Sequence, residues 1–488
     1  MKILNLKKLT VLLLLFFEAI NLNSLTLTLN ECINIAQNNS PQSKIAKSKY
    51  LNTYYSYQAF KSGFLPQLSF SGSAPGLVRQ INQITLPDGS LVYQPQSYLS
   101  SSAGLYINQK IPWTGGNITA SSSLSRIDIS GKSETFYWLS SPVQLVLSQP
   151  LFRQNSYAWN MEIEELSNTM NDKQFIESME DIAIEATDKF FNVYIQQINV
   201  KNAQLNVDIN DTLYVLSKGR YEVGKIAEND LLQSELAFMN SKNQLENAQL
   251  SFSRAKEDLM IYLNLNPNDD LVVIPQTEIN FIQIDNDKAM EEAKKNRSDI
   301  SNYKINELTA ERNLDMARDN NNFSANISAS FGLNQTAGKV DEAYKSLLDQ
   351  EQFNLSFEIP LFQFGKGSSE IEAALAAKEL ATTSNDINLQ YFEMNVKYQT
   401  LQFNLLQEQV KISAKTDTIA ARRFEVAKNR YLIGKIELNS LFIAQNEKDA
   451  ALSSYMSTLR NYWIAYYNIR RNTLYDFEHN QAIEYYSK

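Results

Sequence analysis

From Arg153 to Leu216 the sequence contains neither proline nor glycine. Proline removes a helical hydrogen bond and glycine brings excess backbone freedom, so these two residues most disfavour a helix interior. A run of 64 residues without either can continue as one helix, which at 1.5 Å per residue would be about 96 Å long. That is about three times the ~30 Å hydrocarbon thickness of a bilayer. Charged and amide side chains recur along the run, so it reads as a water-exposed rod. Glycine is scarce throughout, at 15 of 488 residues against a usual ~7 %, which favours long uninterrupted helices.

The rod occurs twice. Arg220-Tyr221-Glu222-Val223-Gly224-Lys225-Ile226 returns as Arg430-Tyr431-Leu432-Ile433-Gly434-Lys435-Ile436, a shift of 210 residues. The same shift aligns Pro150-Leu151-Phe152 with Pro360-Leu361-Phe362, and Leu231 with Leu441. Separate matches at one offset indicate an internal duplication. A looser match, Ser69-Phe70-Ser71-Gly72 with Ala329-Ser330-Phe331-Gly332, lies at a larger offset. The first copy therefore carries about 50 extra residues between its strands. Each copy has one internal order. A helical stretch (30–62 or 286–320) leads to strands, then to a long helix running from Pro150 or Pro360 to the Arg-Tyr turn. A second long helix returns from Leu231 or Leu441.

The return helices carry seams. Leu231, Ser234, Phe238, Ser241, Leu245, Ala248, Phe252, Ala255, Leu259 and Tyr262 follow a 3-4 spacing with large and small residues mixed, as interdigitating helices require. The second copy repeats this with Leu441, Ala444, Lys448, Ala451, Tyr455, Thr458, Tyr462, Ala465 and Ile469. The outgoing helix has two partial stripes, Met179-Ala183-Ala186-Phe190-Val193-Val200 and Ile198-Leu205-Ile209-Leu213. Stripes on two sides fit a tube of helices; a solid helical bundle is the alternative.

The strands decide between them. Phe353, Leu355, Phe357 and Ile359 alternate with Asn354, Ser356 and Glu358, and Ile327, Ala329, Phe331 and Leu333 with Ser328, Ser330 and Gly332. In the first copy Leu68 and Phe70 face away from Gln67, Ser69 and Ser71, and Val143, Leu145 and Leu147 from Gln144 and Ser148. A greasy face opposite a small polar face suits a membrane barrel with lipid outside and water inside. Two strands per copy give four per chain, too few to close a ring, so several chains must share one barrel. The segment 73–140 is read as an added hairpin around Gly115-Gly116 at the outer surface. A soluble β-domain is the alternative for these strands.

Composition narrows the function. A net charge of −9 argues against nucleic acid, which needs concentrated Lys and Arg. With one cysteine, Cys32, and one histidine, His479, an internal disulfide, a zinc cage, a haem site and the usual nucleophile–base pairs are not expected. Gly365-Lys366-Gly367-Ser368 fails the phosphate-loop pattern and reads as the start of the second long helix. No cofactor, metal or catalytic residue is expected, and the chain reads as no enzyme. Lys2, Lys7 and Lys8 precede an apolar run over Leu9–Phe17, followed by small and polar residues to Ser24. This fits a cleavable export signal, with a buried N-terminal helix as the alternative.

Signal peptide, duplication, amphipathic strands, Pro-Leu-Phe at the strand-to-helix switch and the Arg-Tyr-x-x-Gly turns together resemble the TolC-like outer membrane efflux protein family. The resemblance covers about residues 28–475. It implies a mostly α fold with membrane β-strands, in which long helical hairpins form a periplasmic α-barrel and a β-barrel is completed by trimerisation. That barrel would have twelve strands. The organisation becomes a signal peptide over 1–24, a first repeat over 25–275, a second repeat over 276–478 and a tail over 479–488. An equatorial layer takes residues 30–62, 264–320 and the tail.

The implied function is a passive exit duct of a tripartite efflux or type I secretion system. It would sit in outer-membrane lipid as a homotrimer and dock on a periplasmic membrane-fusion adaptor and an inner-membrane pump. A periplasmic coiled-coil adaptor or scaffold without its own pore is the other reading. The resemblance places the hairpin tips at the adaptor contact and aperture. The candidates there are Arg220, Tyr221, Gly224, Lys225, Asp230, Arg430, Tyr431, Gly434, Lys435 and Ser440. Pro150 and Pro360 mark the strand-to-helix switch, and Asn229 and Asn439 are expected to cap the return helices. Family members narrow the aperture with carboxylates at the second tip. Here those positions are Ser440 and Ile443, while Asp230 remains in the first tip, so an acidic ring from the second tip is not expected.

Overall fold

The computed structural model describes residues 25–130, 135–267, 269–275 and 279–485. The expected export signal at 1–24 lies outside the described residues. The duplication is plainest in the helices. Helix α3 (Ser156–Glu222) and helix α7 (Lys366–Leu432) each have 67 residues, and both their ends are offset by the 210 residues that separate the sequence motifs. The Gly-Lys-Gly-Ser stretch opens α7. Helices α4 (Glu228–Tyr262) and α8 (Leu438–Thr473) return from them. No described helix is long and apolar enough to cross a membrane.

The chain divides into two compact units. The helical unit takes the residues up to Tyr50, Asp172–Ser298 and Gln390 onward. Its core is built from the predicted stripes. Met179, Ala183, Ala186, Phe190 and Val193 of α3 are buried, as are Ser234, Ser241, Ala255, Leu259 and Tyr262 of α4. Leu441, Ala444, Tyr462 and Ile469 of α8 are buried too, and Phe403 of α7 stacks on Tyr462 with centroids 5.5 Å apart. The second α3 stripe splits, with Leu213 buried and Leu205 exposed.

Strand β1 (Leu25–Thr28) pairs in parallel with β6 (Leu271–Ile274). It leads into helix α1 (Leu29–Asn39) through a capping box between Thr28 and Glu31, which satisfies the first free N–H groups of the helix. Cys32 on α1 is fully buried, and burial pushes its thiol up to about 12. It is a small core residue and not a reactive one.

One polar network crosses this core. Glu180 of α3 is completely buried. It accepts from Arg470 of α8 at 3.1 and 3.2 Å and from the Tyr485 hydroxyl at 2.7 Å. Arg470 also donates to Asp476 at 2.7 Å, and Gln37 of α1 donates to Tyr485 at 2.7 Å. The first-copy outgoing helix, the second-copy return helix, the N-terminal helix and the tail thus share one set of hydrogen bonds. Beside it, Arg297, which follows helix α5 (Asn286–Asn296), pairs with Glu177 at 3.1 Å.

The sheet unit comprises Leu51–Asn171 and Asp299–Leu389. Helix α2 (Pro41–Ser62) contributes its later residues and helix α6 (Ser298–Asn320) nearly all of its length. The sheet has six antiparallel strands: β2 (Gln67–Thr85), β3 (Leu91–Ile111), β4 (Gly116–Ser130), β5 (Thr135–Leu151), β7 (Ser324–Ala337) and β8 (Leu348–Glu358). They lie in the order β2-β3-β4-β5-β7-β8. The expectation of four strands with a separate outer hairpin is therefore corrected. The 73–140 segment lengthens β2 and supplies β3, β4 and the start of β5, all within one sheet.

The register aligns the alternation across the strands. Leu68, Ile107, Ala120, Leu145 and Phe331 form one continuous row of partners. The neighbouring row is Ser69, Tyr106, Ser121, Gln144, Gly332 and Gln350 and points to the opposite face. Large side chains on the first face are open: Phe70 is 72 % exposed and Phe353 70 %.

Two outcomes follow for the tail network. Arg470→Ala strands the buried Glu180 carboxylate and is expected to cost about 3–5 kcal/mol, read as a lower unfolding midpoint of the purified protein. The exposed His479 imidazole lies 3.0 Å from Asp476, whose hydrogen bond and charge hold its pKa above the ordinary value. That contact is fully present below the free imidazole pKa of about 6.5 and is lost as pH rises through the raised value. NMR titration of this sole histidine should give a midpoint that falls in Asp476→Asn.

Candidate functional site: the two hairpin tips

Both tips close in the same way. Helix α3 ends at Glu222, after which Gly224 takes φ +67°. The Lys225 N–H reaches the Arg220 carbonyl and the Gly224 N–H the Tyr221 carbonyl, both at 2.8 Å. At the other tip Gly434 takes φ +74°, with Lys435 bonding Arg430 at 2.8 Å and Gly434 bonding Tyr431 at 2.9 Å. This paired pattern satisfies the last carbonyls of a helix through a left-handed residue, which glycine adopts without steric cost. A Cβ at either glycine would meet no atom within 4 Å, so a substitution there is opposed by backbone conformation alone.

The return helices start two residues sooner than the asparagines suggested. Ala227 and Glu437 occupy the N-cap positions and neither side chain caps. Asn229 and Asn439 sit inside the first turn, so the expected asparagine caps are corrected. The tight glycine turn leaves only five residues between helices and fixes where the next one begins.

The tips are alike in backbone but not in environment. Tyr431 is 5 % exposed, whereas its repeat partner Tyr221 is 41 % exposed. Tyr431 belongs to a buried cluster with Leu213, Phe424, Leu438, Leu441 and Ala444, and its hydroxyl lies 3.5 Å from Ser217. Arg220 of the first tip donates to the Leu432 carbonyl at 3.3 Å and the Tyr431 carbonyl at 3.5 Å. Its guanidinium sits 5.2 Å from the Tyr431 ring centre. These carbonyls end α7, where the helix dipole is negative and a cation is favoured. Arg430, at the equivalent place in the repeat, is exposed.

A cleft of about 710 Å³ brings together Arg220, Lys225, Asp230, Tyr431 and Gly434. Tyr221, Gly224, Arg430, Lys435 and Ser440 lie outside its lining. Asp230 stands in the first turn of α4, where the helix N-terminus favours a carboxylate.

A second surface escaped the sequence reading. Tyr391, Tyr398, Leu405, Ile412, Ile419 and Val426 recur every seventh residue along α7, with Ile433 continuing the series just past its end, and all are more than half exposed. The opposite side of the same helix buries Phe392, Val396, Phe403, Leu406 and Val410. Helix α7 thus has one seam satisfied within the chain and one left open. Counting every seventh residue from Tyr391 would have found it.

In the sheet unit, Pro150 is the penultimate residue of β5 and pairs with Asn326, and Pro360 follows the end of β8. The turn into α3 is made by Phe152, at φ +56°, and capped by Asn155, whose side chain accepts from the Tyr157 and Ala158 N–H groups. The turn into α7 uses Phe364 and Gly365, at φ +48° and +88°. Apolar side chains stand open at this end of the sheet. Trp113 in the β3–β4 turn is 81 % exposed, Phe152 69 %, Phe362 77 % and Phe364 91 %.

Gly434→Ala is expected to cost about 1–2 kcal/mol, the penalty of a left-handed L-residue. Gly434→Asn should cost less, because its side chain tolerates that conformation. Urea unfolding of both variants tests this order; equal stability of all three proteins would refute it.

Residues 289–472 match the family described as outer membrane efflux protein. Among solved structures, the CmeC outer membrane channel of Campylobacter jejuni superposes with TM-score 0.65 at 15 % identity, covering 94 % of this chain and 87 % of that one. A membrane protein from Pseudomonas aeruginosa gives 0.67 at 13 % identity, covering 94 % and 92 %. The outer membrane protein VceC of Vibrio cholerae gives 0.64 at 12 %, covering 93 % and 97 %. At these identities the likeness is one of fold. No curated protein matches the chain in sequence.

Proposed function

We propose, for a chain whose residues 289–472 match the outer membrane efflux protein family, that it is one subunit of a passive exit duct. The sheet is its outer-membrane part and the long helices its periplasmic part. One observation carries this reading: a sheet with an open apolar face across its strands continues into polar helices of 67 residues. Such a face suits lipid, and the opposite Ser, Gln and Gly face suits water. The open Trp113, Phe152, Phe362 and Phe364 stand where an aromatic girdle would meet the membrane surface.

The subunit works as a homotrimer. Its open α7 seam repeats at the heptad period that pairs one helix with another, and a second copy supplies the partner. The polar walls and the lack of a catalytic constellation in the sequence fit a conduit that an inner-membrane pump drives. A periplasmic adaptor docks at the tips, where Lys225, Arg430 and Lys435 are exposed. Arg220 holds the first tip to the last carbonyls of the second and so keeps the aperture narrow. Breaking that hold is the opening step.

Membrane fractionation tests the reading. The protein should be found in the outer membrane as a heat-dissociable trimer; a soluble monomer would support the adaptor or scaffold reading instead. Arg220→Ala should weaken the closed tip by about 1 kcal/mol, about fivefold in the closed-to-open ratio. Planar-bilayer recordings should then show longer open times than wild type.

A further inference from the structure

We infer that the shared barrel has eighteen strands, six from each of three copies, and a lumen about 1.5-fold wider than a twelve-stranded barrel would have. This rests on the channel reading above. The six strands form one uninterrupted sheet whose outer edges are β2 and β8. Neither edge is covered by another described strand, and an open edge is not tolerated in lipid. All neighbouring strands are antiparallel and their number is even. Strand β8 of one copy therefore runs antiparallel to β2 of the next, and the pattern closes without a defect.

The inserted strands β3 and β4 carry the same two faces as the others. Leu105 and Ile107 on β3 and Ile118 and Ala120 on β4 share the apolar face with Leu68 and Phe70 of β2 and Leu145 and Leu147 of β5. Asn108 and Tyr106 on β3 and Thr119 and Ser121 on β4 share the polar face, and Thr119 donates to Asn108 at 2.7 Å. A hairpin standing clear of the membrane would have no use for an open apolar face. The exposed Trp113 in the β3–β4 turn lies at the same end of the sheet as Phe152 and Phe362. At ~4.8 Å between strands and ~40° tilt, eighteen strands enclose a diameter of about 36 Å, against about 24 Å for twelve.

Paired cysteines in full-length Cys32→Ala protein test this. Ser69→Cys or Ser71→Cys on β2 is combined with Asn354→Cys or Ser356→Cys on β8. Oxidation should give covalent dimers and trimers. Thr119→Cys or Ser121→Cys on β4 with the same β8 positions should give none. Single cysteines on β3 and β4 complete the test in phospholipid vesicles. A membrane-impermeant maleimide should label Asn108→Cys and Ser121→Cys and leave Ile107→Cys and Ala120→Cys unlabelled. Cross-links from β4 to β8, absence of β2–β8 cross-links within intact trimers, or equal labelling of both faces would overturn the eighteen-stranded barrel. Failure to form trimers or to enter membranes would overturn the channel reading itself, a separable result.

Discussion

A peptide group facing hydrocarbon has no water to bond, and leaving it unpaired costs several kcal/mol. With the sheet in the outer membrane as proposed, this governs how its strands are arranged. Each interior strand has both ladders filled by neighbours, and the strands share a register that sends Leu68, Ile107, Ala120, Leu145 and Phe331 to one side. Because side chains alternate, a slip of one residue in any strand would turn its apolar row to the polar face. Register, face and pairing are thus a single constraint, and the turns at Phe152 and Phe364 hand the chain from it into the helices.

In the helical unit, hydrogen-bond satisfaction acts through single groups. Glu180 has no exposure and is served by Arg470 and Tyr485. The network joins parts of both repeats, so the copies are bound by unlike residues rather than by repeated contacts. The tips show the same divergence: Arg220 grips the end of α7, while Arg430 faces outward.

Much of the fold was legible because its signals are local. The run without proline or glycine marked the long helices, the 210-residue shift marked their repetition, and the 3-4 spacing from Leu231 to Tyr262 marked a buried seam. What was missed depends on tertiary neighbours or on weak patterns. Strand β3 is interrupted by Pro95, Gly104 and the serines at 100–102, so its alternation shows only beside β2 and β4. The helix starts at Glu228 and Leu438 follow from the glycine turns, which left Asn229 and Asn439 one step inside. Tyr221 and Tyr431 sit in almost identical heptapeptides, and only packing against Ser217 and Leu213 separates their roles. The opening α7 seam from Tyr391 was readable by period alone, yet its exposure was not.

The two outgoing helices are equal in length to the residue, while the segments before them differ in the six-stranded sheet, four of its strands preceding one helix and two the other. An added residue in one helix would rotate everything beyond it by about 100° and raise it by 1.5 Å, spoiling the match at the tips. An added hairpin in the sheet disturbs neither. Reach and girth are therefore encoded in separate stretches of the chain, so a lineage could widen the sheet while the two hairpin tips kept their match.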